Sequence, residues 1–168
     1  MTTEFSAFNA DYPYPEVTPN GKNAAHARAL LHNCAGEASE ATSAMLYMYD
    51  GIVLEKNAEI ARAFRQITAT ERKHLELFAA LAFALGADPR LWTAAQGGLR
   101  YWTPRSIPYT VAPRRALENA LALEYVTIAR YERQAREIRD EGVQLLLRRV
   151  LLDEQLHVEL FRSLLAKL

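Results

Sequence analysis

The sequence predicts an all-α fold, a four-helix bundle with a long crossover between its second and third helices. Three observations carry this. Four segments show apolar residues at helical spacing. The connections after the first and third segments are short. The middle connection, residues 87–112, is far longer than antiparallel neighbours need. No segment shows the alternating period of a strand.

Residues 1–22 are polar and punctuated by Pro13, Pro15, Pro19 and Gly21, and read as an extended N-terminal arm rather than a packed element. The bundle is expected over residues 23–168. Asn23 is a plausible cap for a first helix carrying Leu30, Cys34, Ala41 and Met48 and running to about Leu54. Asn57 caps the second, whose stripe is Phe64, Ile67, Phe78, Leu81 and Leu85, with Gly86 as its closing residue. The crossover is broken by Pro89, Gly97, Gly98, Pro104 and Pro108. Its Trp92, Tyr101, Trp102 and Tyr109 require it to pack on something. Pro113 opens the third helix, which places Leu117, Leu121, Ile128, Tyr131 and Ile138 on one face up to about Arg139. A turn at Asp140, Glu141 and Gly142 leads to the fourth, with Leu147, Val150, Phe161 and Leu164.

Composition narrows the function. The chain has 168 residues, twenty Lys and Arg against twenty Asp and Glu, four His and a single Cys. A balanced charge with no clustered basic stripe argues against nucleic acid as partner. One Cys excludes a disulfide framework or a Cys-based metal site within one chain. No apolar run is long enough to span a bilayer, and no secretory signal is visible at the start, so a cytoplasmic location is expected.

Each apolar stripe is interrupted by groups that are costly to bury alone. Glu37 interrupts the first helix, Glu71 and His74 the second, Glu124 the third, and Glu154 and His157 the fourth. The Glu-x-x-His spacing places a carboxylate and an imidazole one turn apart on the same face, so one helix offers two ligands to one site. The pair occurs twice in similar settings, Glu71 to Phe78 and Glu154 to Phe161, as if the chain were two copies of a helix pair. Counted from their connecting turns, the four Glu lie at similar heights and can converge in one layer. The set suits two divalent ions, with Glu71 and Glu154 bridging and Glu37 and Glu124 terminal. Oxygen donors with some imidazole suit iron or manganese better than structural zinc; iron is the expected metal and manganese the alternative, though both accept these ligands. Glu40, one turn from Glu37, reads as a helix–helix flank, the alternative being an extra ligand or an acid on the approach path. Asp153 reads either as a hydrogen-bond partner of a ligand imidazole or as a flank residue. Tyr131 reads as core packing, with a hydroxyl held near the site as the alternative. His26 and His32 read as solvent-facing.

With these residues in place, the chain resembles the ferritin-like di-metal carboxylate superfamily, and within it the rubrerythrin-like group, over about residues 24–168. Ala35, Gly36, Glu37, Ala38 and Ser39 are similar to the first-helix motif of that group. Rubrerythrins usually carry a second ligating Glu where Thr127 stands here, and full-length members carry a rubredoxin-like module that one Cys excludes. The six-ligand set is similar to those of manganese catalases and bacterioferritin-type ferroxidase centres. The resemblance implies a di-iron or di-manganese oxidoreductase acting on hydrogen peroxide or dioxygen, by peroxidase or catalase chemistry. The alternative it implies is a ferroxidase that oxidises and stores Fe(II). Small-molecule substrates, an external electron donor for any peroxidase activity, and a homo-oligomer are the expected partners.

Overall fold

The computed structural model describes residues 8–95 and 97–168; the first seven residues of the expected arm lie outside the described residues. The helices are α1 (Ala24–Ala35), α2 (Glu40–Val53), α3 (Ala58–Ala84), α4 (Pro113–Glu137) and α5 (Glu141–Ala166). α1 and α2 together occupy one corner of a four-helix bundle and pack on α3, while α4 packs on α5. Contacts of α3 with α5 and of α2 with α4 join the two pairs. Among the described residues no helix is long and apolar enough to cross a membrane.

The first expected helix is interrupted between α1 and α2. The Gly36 amide closes α1 on the His32 carbonyl at 2.8 Å, and the backbone then turns extended (ψ −179°). A Cβ at Gly36 would lie 2.7 Å from that same carbonyl oxygen, so only glycine fits the closure. Ser39 then starts α2, its hydroxyl accepting from the Thr42 amide. The break resets the helical phase. The inward stripe of α2 becomes Glu40, Ala44, Tyr47 and Leu54, whereas Met48, expected in the core, is 46% exposed.

The remaining termini follow local chemistry. Asn57 precedes α3 without a side-chain cap bond, and Gly86 follows it as expected. Pro113 takes the first position of α4, where its missing N–H costs nothing. Asp140 caps α5 by accepting from the Val143 amide at 3.1 Å. The crossover differs from expectation in containing a hairpin, β1 (Trp92–Ala95) and β2 (Gly98–Tyr101), antiparallel with Trp92 opposite Tyr101. Its strands are four residues each, β2 is exposed throughout and β1 buries only Thr93 fully, so no alternation of apolar residues announces them. Trp92 and Trp102 of the crossover pack against the bundle, and Trp102 donates to the Thr42 hydroxyl at 3.0 Å. Tyr109 packs edge-on against Tyr49 of α2.

Two apolar clusters fill the interior. One joins Leu30, Cys34, Phe78, Leu81, Leu147 and Val150; the other joins Leu46, Phe64, Ile67, Leu117, Leu121 and Phe161. The interval between them, at the junction of α1 with α2 and midway along α3, α4 and α5, is polar and buried. Replacing Asp140 with Ala should cost about 1 kcal/mol by removing the α5 cap. A urea midpoint indistinguishable from wild type would show that the cap adds nothing.

Candidate metal centre

α2, α3, α4 and α5 each send polar groups into this interval. Glu40 opens α2, Glu71 and His74 lie one turn apart on α3, Glu124 is on α4, and Glu154 and His157 lie one turn apart on α5. All six are at most 1% exposed. They form two overlapping groups, Glu40, Glu71, His74 and Glu154, and Glu71, Glu124, Glu154 and His157. Within each group one donor atom from every residue lies within 4.8 Å of the others. Glu71 and Glu154 belong to both.

Five of the six residues picked from sequence are therefore brought together, and Glu37 is not. Its side chain is 78% exposed, and its carboxylate faces the Arg100 guanidinium at 3.5 Å. It stands in the wall of a surface cleft of about 400 Å³ with Gly36, Arg100 and Arg105. The cause is the helix break: residue 37 falls between the cap of α1 and the cap of α2, outside either helix. Glu40, the first residue after the second cap, turns inward in its place.

The imidazoles are oriented from behind. His157 directs Nε2 at the Phe8 carbonyl oxygen, 3.0 Å away, which can only accept; Nε2 therefore carries the hydrogen. His74 directs Nε2 at Asp153, 2.9 Å away. Burial raises the Asp153 carboxyl, but hydrogen bonds from His74, Tyr14, Ala10 and Arg149 outweigh it and hold it down at about 2, so it too accepts. Both Nδ1 atoms consequently face the carboxylates. His74 Nδ1 is 3.2 Å from Glu154, 3.6 Å from Glu40 and 3.8 Å from Glu71. His157 Nδ1 is 2.9 Å from Glu71, 3.2 Å from Glu154 and 3.7 Å from Glu124.

Two tyrosines hold the outer carboxylates, in a crossed arrangement. Tyr47 of α2 donates to Glu124 of α4 at 2.6 Å, and Tyr131 of α4 donates to Glu40 of α2. Tyr47 follows Glu40 by the same two helical turns by which Tyr131 follows Glu124. Sequence reading offered Tyr131 but missed Tyr47 as a donor; the matched spacing would have revealed it once Glu40 was in the set. Burial and the facing carboxylates push both phenols well above their usual value, so they stay protonated.

The electrostatics are those of a crowded anionic site. Burial, then the charges of Glu71 and Glu154, raise Glu40 well above the carboxylate range; burial, Glu154 and Glu71 do the same to Glu124. Burial also opposes ionisation of Glu71 and Glu154, but their contacts with the imidazoles override it and both are lowered. Burial disfavours the charged imidazoles, yet the surrounding carboxylates raise both well above their usual value. The cluster thus retains positive charge wherever it can.

These features fit a pair of metal ions. Glu40 Oε2, Glu71 Oε1, both Glu154 oxygens and both Nδ1 atoms are buried and, among the described residues, have no hydrogen-bond partner outside the cluster itself. Nδ1 turned inward, where a cation can take the place of its proton, with Nε2–H anchored outside, is the arrangement of a metal-binding histidine. Three carboxylates and one imidazole around each position suit manganese or iron.

Comparison with known proteins agrees with this fold. A family model described as Rubrerythrin matches residues 28–165. No curated protein matches the chain. Among solved structures, wild-type KatB, a manganese catalase from Anabaena, superposes with a TM-score of 0.82 at 23% identity. The match covers 96% of this chain and 80% of that one. A second structure of KatB, from Anabaena PCC7120, gives 0.83 at the same identity and coverage. With a family model spanning most of its length, the chain belongs to the rubrerythrin family, on a ferritin-like bundle.

Proposed function

We propose that this chain binds two divalent metal ions and is a di-metal oxidoreductase acting on hydrogen peroxide, disproportionating it in the manner of a manganese catalase. Glu40, Glu71, His74 and Glu154 hold one ion in this reading, and Glu71, Glu124, Glu154 and His157 the other. The observation that carries it is the sharing of Glu71 and Glu154 by two otherwise separate donor groups. Four carboxylates balance two dications, so the filled site is neutral and the cost of burying it falls. Manganese is favoured by the likeness to manganese catalases; iron, the metal favoured from sequence, accepts the same donors.

The bound pair would supply the two-electron redox change by which two peroxide molecules become two waters and one dioxygen. The chain's own residues set the conditions for it. Glu71 and Glu154, ionised, sit between the two positions. Tyr47 and Tyr131 fix the outer carboxylates by donating to them and keep their own protons. The apolar clusters on either side exclude bulk water. Thr127, one turn after Glu124, is 3% exposed, and its hydroxyl has no partner among the described residues. A hydroxyl there can hydrogen-bond a small bound molecule.

Three outcomes test this reading. Elemental analysis of purified protein should find two ions per chain, fewer in Glu40→Gln, and an unchanged number in Glu37→Gln. Loss of metal in the second variant and not the first would return the ligand role to Glu37. Peroxide given to manganese-loaded protein should release dioxygen steadily without any reductant; none, together with rapid Fe(II) oxidation, would favour the ferroxidase reading instead. Metal binding should also release protons at neutral pH. Glu40, Glu124 and both imidazoles are raised in the metal-free chain, so an arriving cation displaces the protons they hold and affinity climbs with pH. Calorimetric titration in buffers of different ionisation enthalpy measures this; absence of proton release would refute the assignment.

A further inference from the structure

Residues 8–22 contain no helix or strand, yet they are anchored along one face of α5 at regular intervals. The Phe8 carbonyl meets His157. The Ala10 amide donates to Asp153 at 2.6 Å. The Tyr12 carbonyl accepts from Arg149 Nε at 2.6 Å. Each step of two residues in the segment thus matches a step of four in α5, running the opposite way. The lengths agree: two extended residues span ~6.6 Å and four helical residues ~6 Å.

The seating continues beyond these three anchors. Arg149, 3% exposed at its side chain, also donates to the Ala10 carbonyl, pairs with Asp153 at 2.8 Å and lies over the Tyr14 ring. The Tyr14 hydroxyl donates to Asp153 at 2.7 Å, and its ring stands edge-on to His74. Further along, the Asn20 amide donates to the Asp140 cap at 2.9 Å. Val17 passes so close to Gly142 that a Cβ there would sit 2.6 Å from its methyl group.

Both inward-facing imidazoles are therefore positioned through this one segment, His157 directly by a backbone carbonyl and His74 through Asp153. We propose that residues 8–20 are a strap whose docking is linked to metal occupancy, the Phe8 carbonyl, Ala10 amide and Tyr14 hydroxyl being positioning groups for the two imidazoles. The inference rests on the two-metal reading of the site. Strap docking fixes each ring with Nδ1 inward, which favours the metal; by reciprocity, a bound metal favours the docked strap. Anything that lifts the strap loosens the metals, and loss of metal frees the strap.

Hydrogen–deuterium exchange on the full chain, with and without Mn(II), tests the linkage together with Mn(II) titrations of three variants. Mn(II) should slow exchange of the Ala10 and Asn20 amides by tenfold or more. Tyr14→Phe should weaken Mn(II) binding about tenfold, the scale at which lost outer partners act on metal sites. Gly142→Ala should weaken it too, from the far end of α5, since the added methyl displaces Val17 while alanine favours the helix itself. Tyr12→Phe, whose ring is exposed, should change neither quantity. If Mn(II) binds the wild type but leaves strap exchange unaltered, and both strap variants bind like wild type, the linkage is wrong and the metal centre stands. If Mn(II) does not bind the wild type, the metal reading fails and the strap linkage fails with it.

Discussion

Four carboxylates enclosed by an apolar bundle repel one another and lose their hydration at the same time. Each ion alone would carry a penalty of several kcal/mol, so the fold must answer it with positive charge or with protons. Much of the surrounding structure follows from that demand. Tyr47 and Tyr131 spend their hydroxyls on the outer carboxylates. Asp153 and the Phe8 carbonyl turn the imidazoles so that their basic nitrogens face inward. The flanking clusters of leucine and phenylalanine keep water from diluting these interactions. An interior designed only for stability would have apolar residues at these six positions, which is why their presence is informative about function.

The sequence revealed most of this because buried acids are conspicuous against apolar stripes. Glu71, His74, Glu154 and His157 stood out through a repeated spacing within single unbroken helices, where position along the chain translates directly into direction in space. Glu124 followed from its place on the apolar stripe of one long unbroken helix. Glu37 and Glu40 could not be told apart by the same logic, since on a continuous helix they share a face. Choosing between them needed the phase reset at residues 36–39, set by one glycine closure and one serine cap. The hairpin of the crossover escaped for the opposite reason: its strands are short and mostly exposed, so burial imposed no alternating pattern on their residues.

The N-terminal segment was legible only in its lack of regular structure. Proline and glycine forecast an extended backbone, but no periodicity indicates what such a backbone lies against. Its partners, Asp153 and Arg149, sit on α5, remote in sequence, and the pairing emerges only when both are in space. Arg149 is instructive here. By sequence it is one more base in a balanced count, whereas the structure buries it among a carboxylate, two carbonyl oxygens and a phenol ring.

The crossed tyrosines make the two halves of the centre nearly interchangeable, as expected of a duplicated helix pair. What lies behind the imidazoles breaks that equivalence. His74 is backed by an ionised carboxylate and His157 by a neutral amide oxygen. An anionic acceptor draws the ring toward imidazolate character and makes it the stronger electron donor. Two positions with matched inner donors thereby acquire unequal donor strength, a polarity running from α3 to α5.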